Sequence, residues 1–197
     1  MHLGHQTLLR ELVRYAGLNN LASAVMTFEP HPREFFTPHH APARLASLRE
    51  KLEWCAELGV NHVFLVRFDQ TFANISSQDF LQHVLIHSIR AQAVMVGEDF
   101  RFGAGRSGGV AQIADAGIKL ITLPEVLIET SNGHQRISST AVRNALAAGE
   151  LSVAQRLLGR NYSISGTVVR GQQLGRQLGY PTAHVHMRHA RPALTGV

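Results

Sequence analysis

Lysine is almost missing from this chain: Lys51 and Lys119 stand alone among 19 Lys and Arg residues in a length of 197. Guanidinium forks suit bidentate phosphate contacts, but GC-rich coding produces the same bias, so the scarcity excludes nothing. Cysteine occurs once, as Cys55, which rules out a disulfide framework and fits a reducing compartment. Its place in the pattern Leu45, Leu48, Leu52, Cys55, Leu58 reads as a small core position on a helix. No run of about 18 apolar residues exists and no signal-peptide h-region opens the chain, so a soluble, cytoplasmic protein is expected. No five consecutive basic residues occur, although the net charge is +5 and the pI about 10.1. Dispersed positive charge suits a nucleotide or phosphate ester, and speaks against a dedicated nucleic-acid arm and against a membrane surface. Internal repeats and low-complexity tracts are also absent.

What is present is ordinary globular composition, 45% hydrophobic and 17% charged, enough for a sizeable core. The length suits one medium domain plus part of another. Periodicity predicts helices over 8–16, 45–58, 79–89, 110–116, 140–148 and 152–158, with Ser76, Ser77 or Asp79 available to cap the third. Short apolar strands are expected over 21–28, 63–68, 93–96 and 118–123, with breaker-rich loops over 29–36 and 97–109. Strands alternating with helices mean an α/β fold built on a doubly wound parallel sheet, whose ligands sit at the carboxyl ends of the strands. After the break Gly159-Arg160-Asn161 the texture changes. Residues 162–169 alternate with period two and read as the first strand of an all-β unit.

Four segments carry candidate chemistry. In Arg136-Ile137-Ser138-Ser139-Thr140-Ala141-Val142-Arg143, hydroxyl residues precede a helix start and an arginine stands on each side. Amides, hydroxyls and guanidinium groups would then converge as a phosphate chain requires; the plain alternative is a capped helix with two solvated arginines. His2-Leu3-Gly4-His5 sets two imidazoles three apart at a helix mouth, where both can reach one anion; a metal pair is the other option, but no third or fourth ligand is evident at a recognisable spacing. Gly103-Ala104-Gly105-Arg106-Ser107-Gly108 matches G-x-G-x-x-G in letters only, since six residues separate it from the preceding strand. Beside it, Phe100 and Phe102 could flank a planar ring or simply be core. Pro30-His31-Pro32 with Phe35 and Phe36 could form a rigid pocket lip or a plain loop.

The order of these segments is more telling than any one of them. His2-x-Gly4-His5, Phe28-Glu29-Pro30-His31-Pro32, residues 96–103, Arg136-Ile137-Ser138-Ser139-Thr140-x-x-Arg143, residues 157–166 and Gly175-Arg176-x-Leu178-Gly179-Tyr180-Pro181-Thr182-Ala183 together resemble the prokaryotic bifunctional riboflavin kinase/FAD synthetase family over essentially the whole chain. The resemblance implies a Rossmann-like nucleotidylyltransferase domain over 1–160 that makes FAD from FMN and ATP. Over 161–197 it implies the beginning of a riboflavin kinase β-barrel. It implies that His2, His5 and Arg143 act on the reacting phosphates, that Gly4, Arg136, Ser138, Ser139 and Thr140 bind ATP, and that Pro30, His31, Pro32, Asp99, Phe100 and Phe102 line the flavin side. Gly175, Arg176, Gly179 and Thr182 would be kinase-domain residues, and Mg²⁺ would share the phosphate charge. Riboflavin would be the kinase substrate, with a non-catalytic flavin- or nucleotide-binding fragment as the alternative reading. Three departures from the family pattern stand out. Its strand and Gly-rich turn before the histidine motif would fall before Met1, His184 stands in place of an asparagine, and most of the barrel would lie beyond Val197. Kinase activity from these residues is therefore not expected.

Overall fold

A computed structural model describes residues 1–130, 133–170, 178–180, 182–187 and 191–194. Local chemistry sets most element boundaries. Helix α1, Leu3–Leu18, starts where His2 Nδ1 accepts the His5 amide at 3.3 Å, the imidazole serving as N-cap. Strand β1, Ala24–Glu29, follows. The loop expected over 29–36 contains a short helix, α2, Pro32–Phe36, because His31 and Glu34 form a reciprocal capping box and Pro32 fixes the first helical φ. Ser47 and Glu50 repeat the capping box at α3, Leu48–Glu57, which buries Cys55 as anticipated. Strand β2, His62–Arg67, leads through α4, Gln70–Ala73, to α5, Ser77–Asp79, where Ser76 Oγ accepts the Asp79 amide at 3.0 Å. The helix then widens: Phe80–Ser88 is a π-helix rather than the expected α-helix.

Strand β3, Ala93–Gly97, precedes a two-residue hairpin of β4, Arg101–Phe102, and β5, Gly108–Gly109. Gly103, at its corner, has φ +73°, and a Cβ there would lie 2.5 Å from the Ser77 amide nitrogen. Then come α6, Val110–Asp115, and β6, Lys119–Leu123. The antiparallel pair β7, Leu127–Thr130, and β8, Gly133–Arg136, was not anticipated. Helices α7, Ser139–Ala147, and α8, Leu151–Leu158, close this part. Beyond them, the strand expected over 162–169 shrinks to β9, Thr167–Val169, antiparallel to β10, His184–His186. Gly179 has φ +82° and Thr182 is exposed; Gly175 and Arg176 lie outside the described residues. Chain returning over 191–194 buries Ala193 against α7 and α8.

A mixed α/β fold is as expected, but the single doubly wound sheet is not what forms. The parallel strands make two separate pairs, β1 with β2 and β3 with β6. No strand among the described residues joins them, and a cavity of about 1250 Å³ runs between β1 and β3. Two apolar clusters flank it. One packs Ile113, Ile118 and Phe102 with Phe80, Leu81 and Leu85 of the π-helix; the other centres on Val142, Leu146, Leu157 and Leu158. The single tryptophan, Trp54 on α3, is capped by the Arg160 guanidinium 4.3 Å from its ring centroid. No helix among the described residues is long and apolar enough to cross a membrane.

Candidate functional site

One end of the cavity gathers residues from four places in the sequence. His2, Gly4 and His5 come from the start of α1, and Gly97–Phe100 from the end of β3. Leu123–Val126 run from the last residue of β6, and Arg136–Ser139 reach the first residue of α7. The histidine motif and the hydroxyl-arginine turn thus share one wall. Gly4 lies between them: a Cβ at position 4 would make ordinary contact with the Ile137 carbonyl oxygen at 3.6 Å and a tight one with the His2 ring at 3.2 Å. Two helix N-termini, α1 and α7, therefore present amide groups and partial positive charge to the same space.

The two imidazoles stack at 3.8 Å with 19° between planes. Burial first, then His5, the α-amino group and Arg143, lower the His2 pKa to about 3. His5 shows more of its edge to the cavity. Surrounding protein atoms still desolvate it, and together with the α-amino group and Lys51 they hold it at about 4. Both rings are neutral at pH 7. Because His2 Nδ1 is occupied as an acceptor, its proton belongs on Nε2, which makes it a hydrogen-bond donor without charge.

Arg136 is exposed and held by two carboxylates, Asp99 Oδ2 at 3.0 Å and Glu125 Oε1 at 2.7 Å. Asp99 and Arg136, expected on opposite sides of the reaction, therefore touch. Ser138 is occupied as the N-cap of α7, its Oγ accepting from the Ala141 amide, and Ser139 lines the cavity. Thr140 is exposed and, with Arg143, lies outside the cavity lining. Arg143 Nε donates to the Ala43 carbonyl at 2.7 Å, and its half-buried guanidinium has its pKa lowered by burial and by Arg33.

The expected flavin side divides. Phe100 lines the cavity and Phe102 does not: its ring is 6% exposed, packed on Phe80 at 5.4 Å and over Gly108. Gly108 leaves room that a Cβ would fill at 2.6 Å from that ring, so Phe102 is core. Pro30, His31 and Pro32 also stand off the cavity lining. His31 Nδ1 accepts the Arg33 amide, and burial followed by Lys51 lowers its pKa. A ladder of rings, Phe36, Phe68, Phe72, Phe80, Phe102 and Phe100, joins this loop to the cavity with centroid spacings of 5.4–6.3 Å.

Two features escaped the sequence reading. Arg44 reaches both Glu29 and Glu34 with paired hydrogen bonds, clamping the β1 end to α2. Lys51, half-buried on α3, depresses the His5 and His31 pKa values. The charged cluster over 29–51 was the available signal, but nothing in its spacing pairs Arg44 with both acids. Among the described residues no three His, Cys, Asp or Glu side chains form a metal-binding group.

Against this geometry the comparisons are direct. Residues 1–141 match the FAD synthetase family and residues 158–197 the riboflavin kinase family. The chain belongs to the FAD synthetase family. It is 46% identical to the bifunctional riboflavin kinase/FMN adenylyltransferase of Escherichia coli K12 over 200 residues, covering all of this chain and 63% of that protein. The proteins of the same name from Pseudomonas fluorescens and Haemophilus influenzae are 42% and 39% identical, with 63% and 64% of their lengths covered. The chain thus spans somewhat under two thirds of these relatives. A crystal structure of a macrolide-efflux protein from Streptococcus pneumoniae superposes with a TM-score of 0.77 at 30% identity, covering 95% of this chain and 60% of that one.

Proposed function

We propose that residues 1–160 form an FMN adenylyltransferase domain of Rossmann-like nucleotidylyltransferase type, and that 161–197 begin a riboflavin kinase barrel. A phosphate oxygen of FMN bonds to the α-phosphorus of ATP as the bond from that phosphorus to the bridging oxygen breaks. Pyrophosphate leaves with the electron pair, and FAD is the product. No protein nucleophile is required, so the site's work is positioning and electrostatics. His2 Nε2–H and the amides at the α1 and α7 starts would hold the phosphate chain. His5 joins them where an arriving anion raises its low pKa and favours its protonation. Arg136 would exchange Asp99 or Glu125 for a phosphate, Arg143 would meet the leaving group, and Gly4, Ser138, Ser139 and Thr140 would pack or bind the chain. Asp99 and Phe100 would face the flavin, with Pro30, His31 and Pro32 behind the phenylalanine ladder.

Mg²⁺ would neutralise part of the phosphate charge. The described residues offer no cage for it, which fits an ion held mainly by phosphate oxygens. Riboflavin kinase activity would require the rest of such a barrel, of which residues 158–197 match the family.

The shared wall of His2, Gly4, His5 and Arg136–Ser139 carries this reading. Incubating the purified chain with FMN, ATP and Mg²⁺ should yield FAD and pyrophosphate by chromatography. Absence of both product formation and ATP-competed FMN binding would overturn it. FMN binding without turnover would favour the second reading, a non-catalytic flavin- and nucleotide-binding fragment, for which the break between the parallel strand pairs is the supporting observation.

A further inference from the structure

Residues 43–45 join two parts of the molecule that the sequence keeps far apart. Ala43 and Leu45 pack against the apolar cluster of α7 and α8. Between them, Arg44 reaches the two carboxylates that frame Pro30-His31-Pro32. Its Nη1 and Nη2 meet the two oxygens of Glu29, the last residue of β1, and its Nε and Nη2 meet those of Glu34 in α2. Glu34 Oε2 also accepts the His31 amide at 3.1 Å, and His31 Nδ1 accepts the Arg33 amide at 3.1 Å. One guanidinium thus fixes the chain on both sides of the Pro30-His31-Pro32 loop. On the α7 side the link is backbone: the Ala43 carbonyl accepts Arg143 Nε at 2.7 Å. Arg143 in turn stands near enough to both His2 and His31 to lower their pKa values. The loop placed on the flavin side and the arginine placed at the leaving group are therefore joined through two consecutive residues, neither of which lines the cavity.

Stability alone does not account for this construction. The Arg44 side chain is 18% exposed, and those of Glu29 and Glu34 are 31% and 23% exposed. At that burial, desolvation offsets much of the attraction, and apolar side chains of similar volume would hold the loop as well. What a planar fork adds over an apolar contact is direction, because paired N–H···O bonds define where each carboxylate sits. We propose that Arg44 is a positioning residue for adenylyl transfer, setting the distance between the Pro30-His31-Pro32 loop and Arg143 through Glu29, Glu34 and the Ala43 carbonyl. The inference rests on the adenylyl-transfer reading above. When the bridge is cut, each substrate still binds by its own contacts. The FMN phosphate and the α-phosphorus are then no longer held in line, and misplacement by about 1 Å costs on the order of a hundredfold in rate.

The test is steady-state kinetics of FAD formation by the intact 197-residue chain. It is set beside Arg44→Lys and beside a triple variant, Arg44→Met with Glu29→Gln and Glu34→Gln. Lysine keeps the charge but has no fork to orient both acids. The triple variant removes all three charges together, so no carboxylate is left unpaired, and glutamine still serves in the α2 capping box. Circular dichroism and the thermal midpoint check that both variants fold. In each, kcat should fall by at least about tenfold, since alignment is lost. KM for FMN and for ATP should stay within about threefold of native, since binding contacts remain. A native-like kcat in the triple variant would leave Arg44 only a charge-balancing role and overturns the proposal, as does a loss confined to KM. If the triple variant does not fold, Arg44→Lys carries the same comparison, and a native-like kcat there is equally fatal. A native chain that forms no FAD removes the adenylyl-transfer reading and this inference with it. A native chain that turns over beside variants with unchanged kcat removes this inference alone.

Discussion

Acid should loosen this protein through His2 before it does so through the carboxylates. Its pKa is about 3 in the folded chain against an ordinary 6.5. The folded state thus binds the proton later than the unfolded state does. For a depressed histidine this means that folding is unpenalised above about pH 6.5 and progressively penalised as pH falls toward the folded value. The side chain is 8% exposed, so solvent screens the effect little. From pH 6.5 to pH 5 the loss is about 2 kcal/mol, at roughly 1.36 kcal/mol per unit. With a urea slope of about 2 kcal/mol/M, the unfolding midpoint should drop by roughly 1 M between these pH values. The comparison is His2→Asn, which keeps an acceptor at the α1 N-cap and cannot titrate. Its midpoint should change by distinctly less over the same interval, leaving the share of His5, whose lowered pKa of about 4 also lies below it. If His2→Asn falls as far as the native chain, His2 is not buried and neutral as described.

Three further outcomes follow from geometry. Gly103→Ala should cost about 1–3 kcal/mol by thermal unfolding, since φ +73° is left-handed and the new Cβ would meet the Ser77 amide. Arg44→Ala should cost about 2 kcal/mol near pH 7 by leaving Glu29 and Glu34 facing each other. Because Arg44 holds the Glu34 pKa below its ordinary value, the difference from native should shrink as pH falls below about 4.5. Ser138→Ala removes the α7 cap and should lower stability by about 1 kcal/mol, with a rise in KM for ATP larger than the fall in kcat.

Local signals were legible and long-range ones were not. The strands observed at 24–29, 93–97 and 119–123 are visible as short apolar runs over 21–28, 93–96 and 118–123, and the helices at 3–18, 48–57 and 139–147 as periodic runs over 8–16, 45–58 and 140–148, the last behind hydroxyl residues. The hairpin of β7 and β8 was missed because Gly133-His134-Gln135-Arg136 has no apolar face, although Asn132-Gly133 is itself a hairpin cue. Phe100 and Phe102 are equivalent by spacing. Only the space left by Gly108 sends Phe102 into the core while Phe100 meets the cavity. The separation of the parallel pairs cannot be read from β1 and β3 themselves, since each edge is apolar whether or not it is paired; the signal for it is the family strand that the resemblance places ahead of the histidine motif. The scale of the separation is large. At roughly 24 cal/mol per Å³, a dry void of about 1250 Å³ would cost on the order of 30 kcal/mol, beyond the 5–15 kcal/mol that holds a domain together. A space of that size is therefore not left dry.

The pairing of Trp54 with Arg160 has an optical consequence. The chain has one indole, and a cation sits over it from the very junction where helices give way to strands. Its emission colour and intensity will change whenever residues 160–170 lift from α3, with no label attached. Any rearrangement of the C-terminal segment is thus observable in a cuvette at micromolar concentration, independently of whatever the cavity holds.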